Sequence, residues 1–531
     1  MDGGALRQQL ELERERLNAA VSRPAPPASV ALPPAKKFKT IGAGVKVRVN
    51  RWRLEGNSFL PEAEVQRELQ RFSGRELSFQ EIDEAVDELE RLFQRRGVLV
   101  RVDLPLQDVQ VGEIRLQLTP LTLAQWEVQQ SGKRFDEPRL LAVMQALQAQ
   151  GEPVLLRQLD AGLTLLNERP GVKATAALRR NTEDAKADVV LTLEDTPRLS
   201  GRVGVDNAGP RATGELRGVA LLRLSSLAGF GDRVDVQAVG SEGLQYAAVQ
   251  ASVPVTAQGA RVGVRGSALK YNTVVANAGV LGDSGRSDSV GLDLEWPFYR
   301  DALNRWVVQP QLEKRWFLNN TSGQAASRYT SDAAWVHLKG RLAAPAGGNA
   351  FTSASVGLGL VNTRQTDANG TAPEGLGRAA VLRFSLAHEA ELAPRWKVQL
   401  RYTGQRATRS LNPSEQLFAG GAGGVRAYPA LEGLNASGVV LSADLRYQLT
   451  PQWSAGPFLD AAAMNDPSRE GKRNYLGAGL GSAWALPAGI SLRAEWARRL
   501  GDNPDPQPLT GRDRDGSLST HRFGASAVVD F

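Results

Sequence analysis

From Arg198 to Phe531 the chain is built of segments of about 10–15 residues in which apolar and polar side chains alternate, each closed by turn residues. About sixteen such segments can be counted, an even number. The connections between them also alternate in length. After even-numbered segments they are mostly tight, as at 254–258, 343–348, 450–451 and 487–489. After several odd-numbered segments they are long, at 272–285, 364–375, 410–436 and 501–519. Period-two alternation gives each strand two chemically different faces. In a membrane this pattern predicts an even-stranded antiparallel barrel, with short turns at one rim and long loops at the other. The competing arrangement, a large soluble β-protein, would have to point small apolar residues outward from every strand.

Hydropathy does not oppose a membrane location. No apolar run reaches the roughly 18 residues that a membrane helix needs, and mean hydropathy is -0.28. A barrel tolerates this because half of every strand faces a wet lumen. Aromatic residues fall near strand ends (Trp296, Phe298, Tyr299, Trp306, Trp396, Trp453), where interfacial girdles are placed. The last segment sets Phe523, Ala525, Ala527, Val529 and Phe531 on one face and Arg522, Gly524, Ser526, Val528 and Asp530 on the other.

The first 197 residues have a different texture. Residues 4–21 read as a helix with Leu6, Leu10 and Leu17 on a thin stripe among charged residues. So thin a stripe suits a helix that docks in a polar place or stands alone. With no signal peptide visible after Met1, a mature form with an added initiator methionine is expected. Residues 22–44 are proline-rich (Pro24, Pro26, Pro27, Pro33, Pro34) and predict an extended linker. Residues 45–120 read as strand, helix, helix, strand, strand, with a capping box at Ser78 and Glu81. Residues 121–197 repeat that plan. Tandem modules of about 75 residues suggest duplicated binding units, each with a strand edge open to an extended peptide.

Several chemistries are excluded or disfavoured. Cysteine is absent, and only His337, His388 and His521 are present, each isolated. Disulfides and thiol catalysis are therefore excluded, and no catalytic residue, cofactor or metal site is expected. A net charge of +7 is spread among alternating acids and bases, without any nucleic-acid-recognition motif. The glycine-rich stretches lack a Walker lysine or a strand-helix setting.

The stretch Gly420-Gly421-Ala422-Gly423-Gly424-Val425-Arg426-Ala427-Tyr428-Pro429 lies between the alternating runs 396–402 and 439–449. Its lone arginine has a use if an acid waits for it. Asp460, in the second strand after the loop, shares parity with Phe458 and Ala462. If loop 410–436 folds down into the barrel and Phe458 also points inward, Arg426 meets Asp460. A buried pair of this kind acts as a latch, since losing one partner strands the other. The alternative is two unrelated surface charges.

Val425-Arg426-Ala427-Tyr428 resembles the V-R-G-Y/F loop motif of two-partner secretion (TpsB) transporters, and Asp460 sits where that family has its barrel-wall aspartate. Asp206-Asn207-Ala208-Gly209 with Thr213-Gly214 resembles the family's D-N-x-G…T-G opening of the barrel. Leu104-Pro105-Leu106-Gln107-Asp108 resembles the L-P-x-Q stretch closing its first polypeptide-transport-associated (POTRA) module. The likeness covers nearly the whole chain and places it in the superfamily containing BamA. It departs at Ala427, where glycine is usual, and an alanine there would be strained if the backbone had positive φ.

The resemblance implies a membrane β-barrel of sixteen antiparallel strands (198–531), preceded by a plug helix (1–21), a linker and two POTRA domains. It implies export of a secreted partner protein (a TpsA-type exoprotein) across the outer membrane of a Gram-negative bacterium, with the POTRA domains in the periplasm. Phe523, Val529 and Phe531 would form the signal read by barrel-assembly machinery, on the face turned to outer-membrane lipid. A BamA-like insertase is the alternative. No enzymatic activity and no nucleic-acid partner are implied.

Overall fold

The computed structural model describes residues 2–21, 46–107, 112–130, 135–180, 185–274, 282–301, 304–321, 324–343, 350–367, 370–465 and 471–531. They fall into two units, Ala25–Thr196 and Met1–Pro24 with Pro197–Phe531, which are described separately. The chain opens with α1 (Gly3–Val21), which belongs to the second unit. The expected linker at 22–44 and Asp108 lie outside the described residues.

The first unit holds two modules of one design. In the first, β1 (Lys46–Val49), β2 (Arg51–Glu55), α2 (Glu62–Leu69), β3 (Arg75–Ser78), α3 (Phe79–Arg95), β4 (Val100–Asp103) and β5 (Glu113–Pro120) follow in order. Strand β5 is central, with β2 parallel on one side and β4 antiparallel on the other. Helix α3 begins with the capping box: Ser78 Oγ accepts the Glu81 N–H, and Glu81 accepts the Ser78 N–H at 2.8 Å. That backbone bond comes first among the contacts holding the Glu81 carboxyl down at about 2. The apolar positions of α3 then fall on one face, and Ile82, Leu89 and Phe93 are buried with Trp52, Leu69 and Leu116. Strand β1 is the strand read at the start of this module, whereas β3, which pairs with it, was not apparent in the sequence because four residues are too few to show a period.

The second module runs β6 (Thr122–Gln130), α4 (Glu137–Gln145), α5 (Leu156–Asn167), β7 (Val172–Arg180) and β8 (Lys186–Asp195). Here β8 is central, parallel to β6 and antiparallel to β7. In both sheets, among the described residues, no further strand pairs with the parallel outer strand, although the start of β6 is bridged by segment 151–153 (Thr122↔Pro153).

The other unit is a closed barrel of sixteen antiparallel strands. Its first half is β9 (Leu199–Asp206), β10 (Arg217–Ser225), β11 (Arg233–Ser241), β12 (Leu244–Pro254), β13 (Arg261–Asn272), β14 (Asp283–Arg300), β15 (Arg305–Thr321) and β16 (Gln324–Ala343). The second half is β17 (Ala350–Gln365), β18 (Gly377–Ala393), β19 (Trp396–Ala407), β20 (Ser437–Gln448), β21 (Trp453–Asn465), β22 (Arg473–Ala485), β23 (Ile490–Arg499) and β24 (His521–Asp530). The barrel and its count agree with the alternation read from the sequence. Strands β14–β16 run further than that pattern, because polar positions near the long loops keep pairing (Asp283↔Thr321, Tyr329↔Gln365).

Burial is inverted, as a membrane requires: Leu312, Leu358 and Leu360 are all more than half exposed. Among the described residues no helix is long and apolar enough to cross a membrane. The ring closes where β24 meets β9, from Ser526↔Asp206 to Asp530↔Arg202. Arg202 grips Asp530 through two bonds of 2.6 and 2.9 Å. Asn207 donates to the Phe523 carbonyl and accepts the Ala525 N–H, both at 2.8 Å. Two residues of the D-N-x-G stretch thus have visible duties at the start of the barrel: Asn207 staples the seam, and Asp206 accepts from Arg217.

The two units have separate cores, so damage to one should spare the other. Leu89→Ala empties a fully buried site in the first module and should cost about 2–5 kcal/mol. Urea unfolding followed by tryptophan fluorescence should show the loss, while the barrel keeps its heat-modifiable migration on gels.

Candidate functional site

Loop 410–436, between β19 and β20, is buried almost throughout and lies inside the barrel. It folds as an irregular hairpin. Leu417 and Asn435 exchange backbone bonds at 2.9 and 2.8 Å, and Ala419 N–H donates to the Glu432 carbonyl. At its tip Tyr428 N–H donates to the Val425 carbonyl at 3.0 Å, so Val425-Arg426-Ala427-Tyr428 is a tight turn with the arginine at its corner. The glycines serve close approach. A Cβ at Gly424 would lie 2.1 Å from the Ala419 carbonyl, and one on wall residue Gly477 would lie 2.8 Å from Ala427 Cβ. Ala427 is fully buried and does not have positive φ. Alanine is therefore unstrained where glycine was expected.

Arg426 reaches the wall at β21 and β20. Asp460 accepts from three of its nitrogens: the backbone N–H at 3.1 Å, Nε at 2.8 Å and Nη2 at 2.8 Å. Asp444 accepts from Nη1 at 3.0 Å and Nη2 at 3.2 Å, and Glu495 on β23 from Nη1 at 3.2 Å. The face of Phe458 lies 3.4 Å from the guanidinium carbon. Phe458 therefore points inward with Asp460. The arrangement is a fork engaged on two carboxylates, stronger and more directional than a point contact.

The carboxylates are shared. Asp444 also accepts from Arg401 and Arg446, so three arginines face Asp444, Asp460 and Glu495. Among the described residues, however, every side-chain bond and ion pair of Asp460 is to Arg426. Tyr428 completes the tip, edge-on to Tyr475 with 5.1 Å between centroids and beneath the Arg499 guanidinium.

The loop has two further anchors. Glu415, fully buried, pairs with Arg315 of β15 and with Arg383 of β18 at 2.8 Å. Glu432 accepts from Asn503 at 3.1 Å and from the Arg514 N–H at 2.8 Å, which ties the loop to segment 501–519.

Helix α1 lies in the lumen beside this loop. Leu6 and Leu10 form one buried cluster with Tyr246, Leu269 and Tyr271 of the wall and Phe418 and Leu431 of the loop. The side chain of Leu17 lies outside the described residues. The polar side of the helix is matched as closely: Arg7 donates to Glu313 at 2.8 Å, Glu13 accepts from Arg217 at 3.0 Å, and Asp2 accepts from Asn319 at 2.8 Å. Phe523, Val529 and Phe531 are exposed on the outer face.

Sequence reasoning missed Asp444, Glu495, Glu415, Glu432 and Glu13. Asp444 had a usable signal, since it lies on the inward row Val440, Ser442, Asp444 of β20, and Ser442 pairs with Asp460. The others resembled solvated charges.

A closed barrel with an apolar outer belt, holding a latched loop and a polar helix in its lumen, defines an outer-membrane transport-type barrel. Residues 186–484 match the haemolysin secretion/activation protein family ShlB/FhaC/HecB, and residues 47–120 match the ShlB-type POTRA domain. The chain belongs to this family of outer-membrane two-partner secretion transporters, whose POTRA domains lie in the periplasm.

Among relatives, the heme/hemopexin transporter protein HuxB of Haemophilus influenzae is 23% identical over 379 residues, covering 68% of this chain and 65% of that protein. The outer membrane transporter CdiB of Dickeya dadantii is 23% identical over 362 residues, covering 66% and 63%. The matched part of the chain thus spans about 65% of the length of the first of these relatives. In fold, the chain is similar to CdiB from Escherichia coli (TM-score 0.68, 17% identity, 99% and 98% covered). It is also similar to BamA from Haemophilus ducreyi lacking POTRA domains 1-3 (TM-score 0.57, 13% identity, 92% and 100% covered).

Arg426→Ala would leave Asp460 buried without a cation, at a cost of about 3–5 kcal/mol. Limited proteolysis of the barrel in detergent should then cut within 410–436, where the unmutated protein resists. Arg426→Lys cannot bridge two carboxylates as a fork and should fall between the two.

Proposed function

We propose that this chain exports one large partner protein, a TpsA-type exoprotein, from the periplasm to the cell surface through the barrel lumen. The residues before 198 supply the capture end. In this reading 45–120 and 121–197 are two POTRA modules joined to the helix by the linker 22–44. The edge of β2, and that of β6 beyond its bridged start, suit an unfolded secretion signal added as an extra strand. No catalytic role is assigned to any residue. The free energy for export would come from folding of the partner outside, since the chain has no nucleotide-binding motif.

The observation that carries this reading is an asymmetry between the two fillings of the lumen. Each wall charge that faces α1 has a second partner in the wall: Glu313 keeps Arg315 at 2.6 Å, and Arg217 keeps Asp206 at 2.8 Å. The helix can therefore leave without stranding a wall charge. The loop cannot leave Asp460 without doing so. Helix 1–21 is thus the removable plug, and the Val425–Tyr428 tip is the fixture past which a chain would move. Phe523, Val529 and Phe531 would present the assembly signal to barrel-assembly machinery and thereafter face lipid.

A BamA-like insertase is the second reading, and its support is likeness of fold. The two part on one comparison of the extracellular and outer-membrane proteins of cells with and without the gene. Loss of one large secreted protein, with the membrane set unchanged, is expected. A general fall in barrel proteins would instead establish the insertase.

Deleting residues 2–21 should raise single-channel conductance in planar bilayers while the barrel still inserts. Unchanged conductance would remove the plug from the mechanism. Arg426→Ala and Asp460→Ala should each lower secretion of the partner at equal barrel abundance on immunoblots.

A further inference from the structure

The outer face of the barrel is not uniform around its circumference. Each of seven consecutive strands carries an outward cation in its half nearer the long loops, although on β15 Lys314 lies between Leu312 and Trp316 and on β16 Asp332 precedes Arg328. On β13–β15 these are Lys270, Arg286 and Lys314. On β16–β19 they are Arg328, Arg364, Arg378 and Arg406. Strand β17 shows the rule: Val356, Leu358 and Leu360 face out, then Asn362, then Arg364. Strand β18 repeats it with Leu382, Ala380 and Arg378.

Register puts Lys270, Arg286 and Arg328 in line, the last two through Leu318, whereas Lys314 stands opposite Val290 and Asp332, Arg378 opposite Asn362 and Arg406 opposite Leu382, so the cations form a band and not a single row. Side-chain exposure is 68% for Arg286, 44% for Lys314 and 56% for Arg364. Two acids share this face: Asp288 pairs with Arg286, and Asp332 with Lys314 and Arg364. Among the described residues Lys270, Arg328, Arg378 and Arg406 make no ion pair. The opposite wall is sparser. At the corresponding outward positions β9–β11 carry Val205, Gly218 and Gly240 and β20 and β21 carry Val439 and Ala463, all uncharged, while β23 carries a single cation, Arg498.

A cation at the edge of hydrocarbon is tolerated because its side chain snorkels to the interface, where it stands among the lipid headgroups. Seven on one wall against two carboxylates leave a net positive surface there, complementary to an external anion among the headgroups. Long-loop connections lie on the outer side of an outer-membrane barrel, where the leaflet consists of phosphorylated glycolipid. We propose that the β13–β19 wall is a docking surface for the phosphorylated headgroup of lipopolysaccharide. Arginine and lysine side chains would bind its phosphates by charge-assisted hydrogen bonds, while the row Val290, Leu312, Val336, Leu358 and Leu382 packs on its acyl chains. The site lies outside the lumen and does not depend on what passes through it.

The test uses the full-length purified protein in detergent and bis-phosphorylated lipid A as the probe, with retained lipid counted by native mass spectrometry. The triple variant Arg328→Gln/Arg378→Gln/Arg406→Gln should bind it about tenfold more weakly, whereas Arg498→Gln, on β23, should bind as the unmutated protein does. Equal binding by the triple variant overturns the proposal. Should that variant fail to form a heat-modifiable barrel, the unmutated protein is titrated with lipid A stripped of both phosphates. About tenfold weaker binding of the stripped lipid supports the site, and undiminished binding overturns it. Displacement of lipid A by millimolar inorganic phosphate would show a small-anion site and equally overturn the glycolipid reading. Vesicles of phosphatidylglycerol that compete as well as lipid A would do the same.

Discussion

An arginine buried inside a protein must be met by enough acceptors, or it stays in water. Arg426 lies in the barrel because Asp460 offers it three bonds and Asp444 two more. Much else follows from that engagement. The guanidinium fixes the turn, and the turn puts Ala427 and Val425 against the gap left by Gly477. The returning arm of the loop then brings Glu432 beneath segment 501–519 and Phe418 and Leu431 into the floor on which α1 lies. A lumen walled by alternating polar residues would otherwise be filled by water. Here it is filled by protein whose charges mirror those of the wall.

The fold was legible because a membrane barrel writes itself into a chain as a period of two, and sixteen repetitions of a weak signal amount to a strong one. The long loop connections read in the same way. Where strands exceeded expectation, at β14–β16, pairing continued through residues such as Asn320 and Ser284, whose polarity had marked them as loop. Backbone pairing is indifferent to side-chain polarity above the bilayer, so hydropathy alone places the end of the hydrocarbon and not the end of the strand.

The site was legible only in part, and for a different reason. Arg426 and Asp460 stood out through likeness to a known motif. Asp444 could have been found by parity on β20, but Glu415 and Glu432 lie in irregular loop, where no period reports which way a side chain points. Helix α1 left two readings open. Its run of Glu11, Glu13, Arg14 and Glu15 suits either a solvated helix or one docked in a polar place. Glu11 and Glu13 are docked, meeting Arg315 and Arg217 inside the barrel. A polar surface means water in most proteins, whereas in a wet lumen it also means a binding partner.

That ambiguity bears on how α1, in the proposed role of a plug, would be both specific and removable. A helix held mainly by apolar burial would leave an oily scar, at roughly 25 cal/mol for each Å² exposed. Helix α1 keeps its described apolar contacts to a small cluster around Leu6 and Leu10 and makes the rest of its fit with ions and hydrogen bonds. The Arg7–Glu313 pair is buried, but on departure Arg7 returns to water and the wall arginines and glutamates fall back on their second partners, so neither Glu313 nor Arg217 is stranded. The loop is built the other way, since among the described residues Asp460 has Arg426 as its sole side-chain partner. On departure of the helix, Phe418, Leu431, Tyr246 and Tyr271 would be uncovered together beside the latched loop. This leaves an apolar strip in a charged lumen, suited to transient contact with the side chains of an unfolded chain. The geometry that makes the helix easy to lose is therefore also what would give a passing polypeptide a surface to touch.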